Sequence, residues 1–223
     1  MKSFDPECWY REICEDYKDG CQTHCAKYLK MKFLMEHSGI PASKCRPIPL
    51  QPEACDRDAF RRLADIKDNI YDFVGDGRNL YITSGNVGNG KTSWAYKLML
   101  KYFEEVWSES TFDVKGVYVY VPKFLLMCKD FKTVDSAFEE LKRNLVDVDL
   151  VIWDDIASTD ISTYDLNQLL TYIDTRTASE LSNIFTGNLP TRELLEQSLG
   201  SRLASRVWNT NTEIVEFKGG DRR

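Results

Sequence analysis

Residues 78–93 constrain this chain more than any other stretch: Arg78-Asn-Leu-Tyr-Ile-Thr-Ser-Gly85-Asn86-Val87-Gly88-Asn89-Gly90-Lys91-Thr92-Ser93. The apolar run Leu80-Tyr81-Ile82 enters Gly85-x-x-x-x-Gly90-Lys91-Thr92, and a helical pattern starts at once. Strand, glycine-rich turn and helix are the context in which a P-loop binds phosphate. The glycines let successive backbone N–H groups turn inward, and the helix N-terminus adds its dipole. Residues Gly85 to Ser93 form the candidate cradle, with Lys91 reaching the β/γ-phosphates of a nucleotide and Thr92 ligating Mg²⁺. A glycine-rich turn with a structural role alone would not require Lys-Thr at this offset.

The surroundings read as an α/β fold. Strands are expected at Leu80–Thr83, Val117–Val121, Leu150–Trp153, Asn183–Thr186 and Glu213–Phe217. Helical periodicity covers 57–74 and Thr92–Trp107, then short helices run to about Leu145. It resumes over Tyr164–Arg176 and, for the most part, Arg192–Val207. Strands alternating with helices imply a parallel sheet covered on both faces. Pro122 is read as the stop of the second strand.

Val151-Ile-Trp-Asp154-Asp155-Ile156 has the form of a Walker B strand, an apolar run that delivers carboxylates to its C-terminal end. Asp154 would hold Mg²⁺ and Asp155 would orient or polarise an attacking water. Asn188, after the strand Ile184-Phe-Thr-Gly, would contact the γ-phosphate or that water. On spacing alone it reads equally well as a turn-forming Asn before Leu-Pro. Arg202 and Arg206 sit at i and i+4 on one helical face. They are either a solvated basic stripe or arginines that complete phosphate chemistry in a neighbouring subunit.

The N-terminal quarter is different. Four of the seven cysteines, Cys8, Cys14, Cys21 and Cys25, crowd into a segment poor in aliphatic residues. A short piece that buries little apolar area often uses a metal instead. A structural zinc on these four thiolates is expected, with His24 as a competing ligand and unrelated reduced thiols as the other reading. Residues 26–37 carry a Tyr28, Met31, Leu34/Met35 stripe that would dock a partner or pack on the zinc lobe. Four of the seven prolines fall between Pro41 and Pro52, which reads as a semi-rigid linker. The expected division is 1–40, a Cys-rich zinc domain; 41–56, a linker; and 57–223, the nucleotide-binding domain.

The net charge of −6 argues against a broad basic face for duplex DNA. Lys115, Lys123, Lys129, Lys132, Lys142 and Arg143 are the candidates for a local nucleic-acid strip. No apolar run reaches membrane-spanning length, and the N-terminus has no secretory h-region, so a cytoplasmic protein is expected.

Several boxes follow one another in a family order. These are Gly85–Thr92, Asp154-Asp155, Tyr164…Ile173-Asp-Thr-Arg176, Thr186-Gly-Asn188, Arg202-Leu-Ala-Ser-Arg206 and the closing Gly220-Asp-Arg. In this the chain resembles the AAA+ ATPase module of bacterial and phage helicase loaders of the DnaC/DnaI type, relatives of IstB and DnaA, over about residues 58–223. The resemblance implies an AAA+ parallel sheet with a small zinc-stabilised helical domain at its N-terminus. It implies Asn188 as sensor-1 residue and Arg206 as arginine finger, with Arg202 as companion. It implies ATP hydrolysis to ADP with Mg²⁺ across subunit interfaces, self-association through the ATPase domain, and partners in a replicative hexameric helicase and single-stranded DNA. The host would be a bacterial cell, with the gene in a phage as one version. Few residues follow the Arg206 helix, so no full helical lid or sensor-2 arginine is expected, and hydrolysis should be weak. The competing expectation is an IstB-like adaptor switched by nucleotide with little turnover. A small-molecule kinase would need an arginine-bearing lid that the sequence does not offer.

Overall fold

The computed structural model describes residues 14, 25–44, 50–130, 135–157 and 161–221. Its centre is one parallel sheet of five strands: β1 (Asn79–Thr83), β2 (Gly116–Tyr120), β3 (Leu150–Asp154), β4 (Ser182–Gly187) and β5 (Thr212–Glu216), ordered β2-β3-β4-β1-β5. Each expected strand is present within about a residue of its expected ends. The inner strands β1, β3 and β4 are buried along their whole length. Both faces are covered, which is why they read as continuous apolar runs.

Two cores follow from the pleat. Leu150 and Ile152 of β3 enter one, and Val151 and Trp153 the other. The first core is closed by α1 (Ala26–His37), α2 (Arg57–Asp68), α3 (Ile70–Gly75) and α4 (Lys91–Val106). The second is closed by α5 (Val121–Lys129), α6 (Ser136–Asp147), α7 (Thr163–Ala178) and α8 (Arg192–Val207). So β1 leads into a helix on one face, while its neighbour β4 leads into a helix on the other. Adjacent strands whose connections part in this way open a crevice at their carboxyl ends, where α/β folds bind ligands.

Three local outcomes differ from the sequence reading. The helical stretch at 57–74 is broken at Asn69, which takes φ −118 and ψ 29 and whose side-chain amide joins its backbone N–H on the Asp65 carbonyl, at 2.9 Å. Pro122 sits in the first turn of α5, where a missing N–H costs nothing, and so begins a helix as well as closing a strand. Within α8, Gly200 takes φ 72 and ψ 156, which kinks the helix and re-aims its second half.

The stripe on α1 is not left facing solvent. Met31, Leu34 and Met35 are buried in the same core as α4. Beyond the helix, Tyr118 N–H donates to the Ser38 carbonyl at 2.7 Å, so the chain at Ser38 caps the open edge of β2. The second half of the Pro-rich stretch is also anchored. Leu50 packs against the first core, and Asp56, fully buried, accepts from the Lys218 and Gly219 N–H groups at 2.7 and 3.1 Å. Sequence periodicity carries no sign of such a contact, because it joins residues far apart in the chain.

At the opposite end of the sheet from the crevice, Arg176 of α7 is fully buried. It donates to the carbonyls of Leu145, Val148, Asp149 and Ser182 and to Asn183 Oδ1. Burial disfavours its charge and Asp149 favours it, while the planar fork serves acceptors on β4 and on the turn before β3 together. Among the described residues no helix is long and apolar enough to cross a membrane.

Arg176→Ala would strand several buried carbonyls, so we expect a loss of about 3 kcal/mol or more of unfolding free energy in urea denaturation. Arg176→Lys should recover less than half of it, because one ammonium cannot reach all five acceptors.

Candidate active site

The crevice is built from the ends of β1, β3 and β4. After β1 the chain runs through Ser84–Gly90 into α4, and Gly88 and Gly90 take φ 74 and 97. Those left-handed conformations turn backbone N–H groups toward a common centre and suit only glycine without strain. Asn89 is buried and donates to Ser84 Oγ, which also accepts from Asn86 N–H at 3.0 Å, so the loop is braced from inside. Lys91 is folded onto the loop, its Nζ donating to Asn86 O at 3.0 Å and Asn89 Oδ1 at 3.1 Å. A phosphate oxygen could replace either acceptor.

The Walker B carboxylate meets the P-loop directly. Thr92 Oγ1 donates to Asp154 Oδ1 at 2.7 Å, and Thr186 Oγ1 donates to the same oxygen at 2.6 Å. Tyr118 OH donates to Asp154 Oδ2 at 2.8 Å. Burial, and then the Asp154 carboxylate, push the Tyr118 hydroxyl well above its ordinary range and keep it a donor. A serine or threonine hydroxyl touching a buried carboxylate is the donor set a magnesium ion requires, with waters and phosphate supplying the rest. The residues present therefore fit that ion.

Asp155 follows in the left-handed region, φ 63, uncommon for a residue with a side chain. It is held there because its N–H donates to Thr186 Oγ1 at 3.0 Å and the next N–H, of Ile156, donates to Thr186 O at 3.0 Å. Asn188 lies just past β4 with its Oδ1 buried and accepting no hydrogen bond among the described residues. A buried acceptor left open at a crevice asks for a donor such as water. Thr186, Asn188, Asp154 and Asp155 line a cavity of about 530 Å³ together with the P-loop residues Val87 to Ser93.

The structure thus brings together the P-loop, Asp154, Asp155 and Asn188, as the sequence reading expects. It keeps Arg202 and Arg206 elsewhere: no arginine lines the cavity among the described residues. Both instead bind Asp174 on α7, Arg206 through Nε at 2.6 Å and Arg202 through a terminal nitrogen at 2.8 Å. Burial alone would raise the Asp174 carboxyl, but Arg206 and then Arg202 outweigh it and hold it below the usual range.

Of the zinc candidates, Cys8 and Cys21, with His24, lie outside the described residues. Cys14 packs against the first core and Cys25 is exposed. Among the described residues no group of three or more His, Cys, Asp or Glu is placed to hold a metal. Of the candidate nucleic-acid cations, Lys115, Lys129 and Lys142 pair with Asp113, Asp165 and Glu139, and Lys132 lies outside the described residues.

Sequence reasoning missed several members of the site. Tyr118 and Thr186 carry Asp154; Lys44 and Leu50 line the same cavity. The closing segment lies across the P-loop, with Asn86 Nδ2 donating to Gly219 O at 3.2 Å and a Cβ at Gly88 falling 1.8 Å from Asp221 Oδ1. The one signal available was the Thr186-Gly-Asn188 box. Its glycine is explained by Tyr81, whose hydroxyl would lie 2.7 Å from a Cβ at Gly187 and donates to Leu189 O at 2.9 Å.

No protein-family model matches this chain, and no curated protein does. Solved structures match in fold. The DnaC helicase loader superposes with a TM-score of 0.62 at 16% identity, over 77% of this chain and 94% of that one. DnaI gives 0.61 at 20% identity, over 82% and 94%. DnaA from Aquifex aeolicus, bound to AMPPCP, gives 0.57 at 17% identity, over 78% and 50%. The chain therefore shares the fold of the DnaC helicase loader and DnaI.

Gly187→Ala should destabilise the protein by about 1–3 kcal/mol through the Tyr81 contact. In a double-mutant cycle with Tyr81→Phe the two costs should be less than additive, since the second change removes the clashing hydroxyl. Additive costs would mean that the two residues do not meet.

Proposed function

We propose that this chain is an ATP-dependent loader that places a replicative hexameric helicase on single-stranded DNA, hydrolysing ATP between neighbouring subunits. The observation that carries the reading is a single cavity shared by the P-loop, Asp154, Asp155, Thr186 and Asn188. The P-loop, the hydroxyl–carboxylate pair, Asp155 and Asn188 meet at that cavity, and no arginine is among its described lining residues. Arg206, half-buried and outside the cavity, suits delivery to the next subunit.

In this reading the P-loop N–H groups and Lys91 hold the β- and γ-phosphates, and Lys91 exchanges Asn86 O and Asn89 Oδ1 for phosphate oxygens. Thr92 and Asp154 would hold Mg²⁺, which would neutralise charge developing on the phosphates. Asn188 accepts a hydrogen bond from the attacking water, and Asp155, fixed through Thr186, orients the water and takes its proton. Arg206 of one subunit stabilises the charge on the transferring group in another. The likeness of the whole fold to DnaC and DnaI supports a helicase as the partner, and the AMPPCP-bound DnaA supports ATP as the nucleotide.

An IstB-like adaptor that hydrolyses little remains the second reading. It is favoured by Asp155, a methylene shorter than glutamate at the water-activating position. Single-turnover hydrolysis with single-stranded DNA separates the two: a rate no faster than without DNA or assembly points to the adaptor.

Lys91→Ala should abolish nucleotide binding, measured with a fluorescent ATP analogue. Turnover per subunit should rise with protein concentration, and Arg206→Ala should flatten that rise with a loss of about a thousandfold at saturation. Unchanged turnover at every concentration would end the trans-finger reading. Native mass spectrometry with the hexameric helicase should give an ATP-dependent complex, and its absence would end the loader reading.

The N-terminal cysteines Cys8, Cys14, Cys21 and Cys25 are read as the structural zinc site of the helicase-binding segment. Metal analysis should find about one zinc per subunit, lost in Cys25→Ala. A metal-free full chain that still binds helicase would leave these residues as unrelated thiols.

A further inference from the structure

We propose that Asp174 is a positioning residue that holds Arg206 by its stem and presents the tip to a neighbouring subunit's nucleotide. This rests on the trans-finger reading above and deepens it. The two arginines are held differently. Arg206 is bound only through Nε, so its terminal amino groups carry no hydrogen bond among the described residues. Arg202 is bound by a terminal nitrogen and is 71% exposed, against 39% for Arg206. Each takes one oxygen of Asp174. A guanidinium anchored at Nε keeps the outward fork that matches phosphate oxygens bidentately, whereas one anchored at its tip does not. Arg206 is therefore the finger and Arg202 the companion that occupies the second oxygen and fixes the carboxylate plane.

The platform beneath them is rigid. Ile173 on α7 and Leu203, Ala204 and Val207 on α8 are all fully buried in the second core. The kink at Gly200 turns the second half of α8, and on that half both arginines meet one carboxylate. Ion pairs this open to water contribute little to stability. Their consequence is orientational: an arginine held in one rotamer meets its target without the entropy of a free side chain.

That difference sets the test, made on the full chain at concentrations where turnover has saturated. Asp174→Asn should lower kcat by about ten- to a hundredfold, the scale of a misplaced catalytic group. ATP affinity and thermal midpoint should stay at their wild-type values. Asp174→Glu, which keeps the charge, should retain more activity than Asp174→Asn. The double variant Asp174→Asn/Arg206→Ala should be no slower than Arg206→Ala alone.

Four outcomes would overturn the proposal. Wild-type turnover in Asp174→Asn, beside a collapsed Arg206→Ala, leaves the trans finger standing and removes Asp174 from it. Faster turnover in Asp174→Asn means that the carboxylate sequesters the finger. Losses that multiply in the double variant, or that come with weakened ATP binding and a lowered thermal midpoint, mean that Asp174 acts elsewhere. Unchanged turnover in Arg206→Ala removes the finger itself, and the positioning role with it.

Discussion

A buried carboxylate is tolerated only where its lone pairs are satisfied, because the cost of desolvating it otherwise runs to several kcal/mol. Asp154 is 5% exposed and takes hydrogen bonds from Thr92, Thr186 and Tyr118. Those hydroxyls come from the start of α4, from β4 and from β2. One carboxyl group at the end of β3 thus ties its neighbouring strands on both sides to the helix that carries the P-loop. A slip of one residue in any of these strands would turn the partner side chain to the other face of the sheet. The same requirement that satisfies the buried Asp154 carboxyl therefore fixes the strand ends that shape the crevice.

Thr186 extends this constraint into the chemistry. Its hydroxyl donates to Asp154 and accepts from the Asp155 N–H. Asp155 is thereby held with positive φ, a conformation that costs energy for a residue with a Cβ and persists only where the surroundings determine it. The strain sits at one position past the buried strand, where a carboxylate must leave the sheet and enter the cavity. Tyr81 does the corresponding service for β4: its hydroxyl fastens Leu189 O and passes close beneath Gly187. Burial pushes that hydroxyl up to about 12, so it stays protonated as a donor. The loop that carries Asn188 is thus held from below by a neutral hydrogen bond.

The boundary between what the sequence reveals and what it hides is physical. Gly88, Gly90, Lys91 and Asp154 were legible because each meets a local demand: positive φ, a helix N-terminus, or a carboxylate ending an apolar strand. The inner strands β1, β3 and β4 were legible because burial on both faces writes itself as an apolar run. Tyr118, Asp56 and Leu50 were not legible, since each acts through a partner far away in the chain. Tyr118 looks like any aromatic on a strand until Asp154 is placed beside it. Asp56 looks like a helix-start acid until Lys218 and Gly219 are found donating to it. The break at Asn69 was hidden for another reason: apolar periodicity continues across it, while Asn69 leaves helical geometry at φ −118 and ψ 29.

The helix α7 shows how one element serves two ends. Arg176 and Asp174 are two residues apart, so they leave the helix on nearly opposite sides. Arg176 runs inward and gathers carbonyls from the turns at the sheet's base, where rigidity is the requirement. Asp174 runs outward and gathers two arginines of α8, where a definite direction is the requirement and stability gains little. An arginine with every donor buried holds a fold; an arginine with its stem held and its tip free can act on something outside it. Because both depend on the seating of α7 against the second core, the outward arrangement inherits its precision from the inward one. The arginine pair is thereby tied to the buried seat of α7, although it stands apart from the cavity at the sheet's carboxyl end.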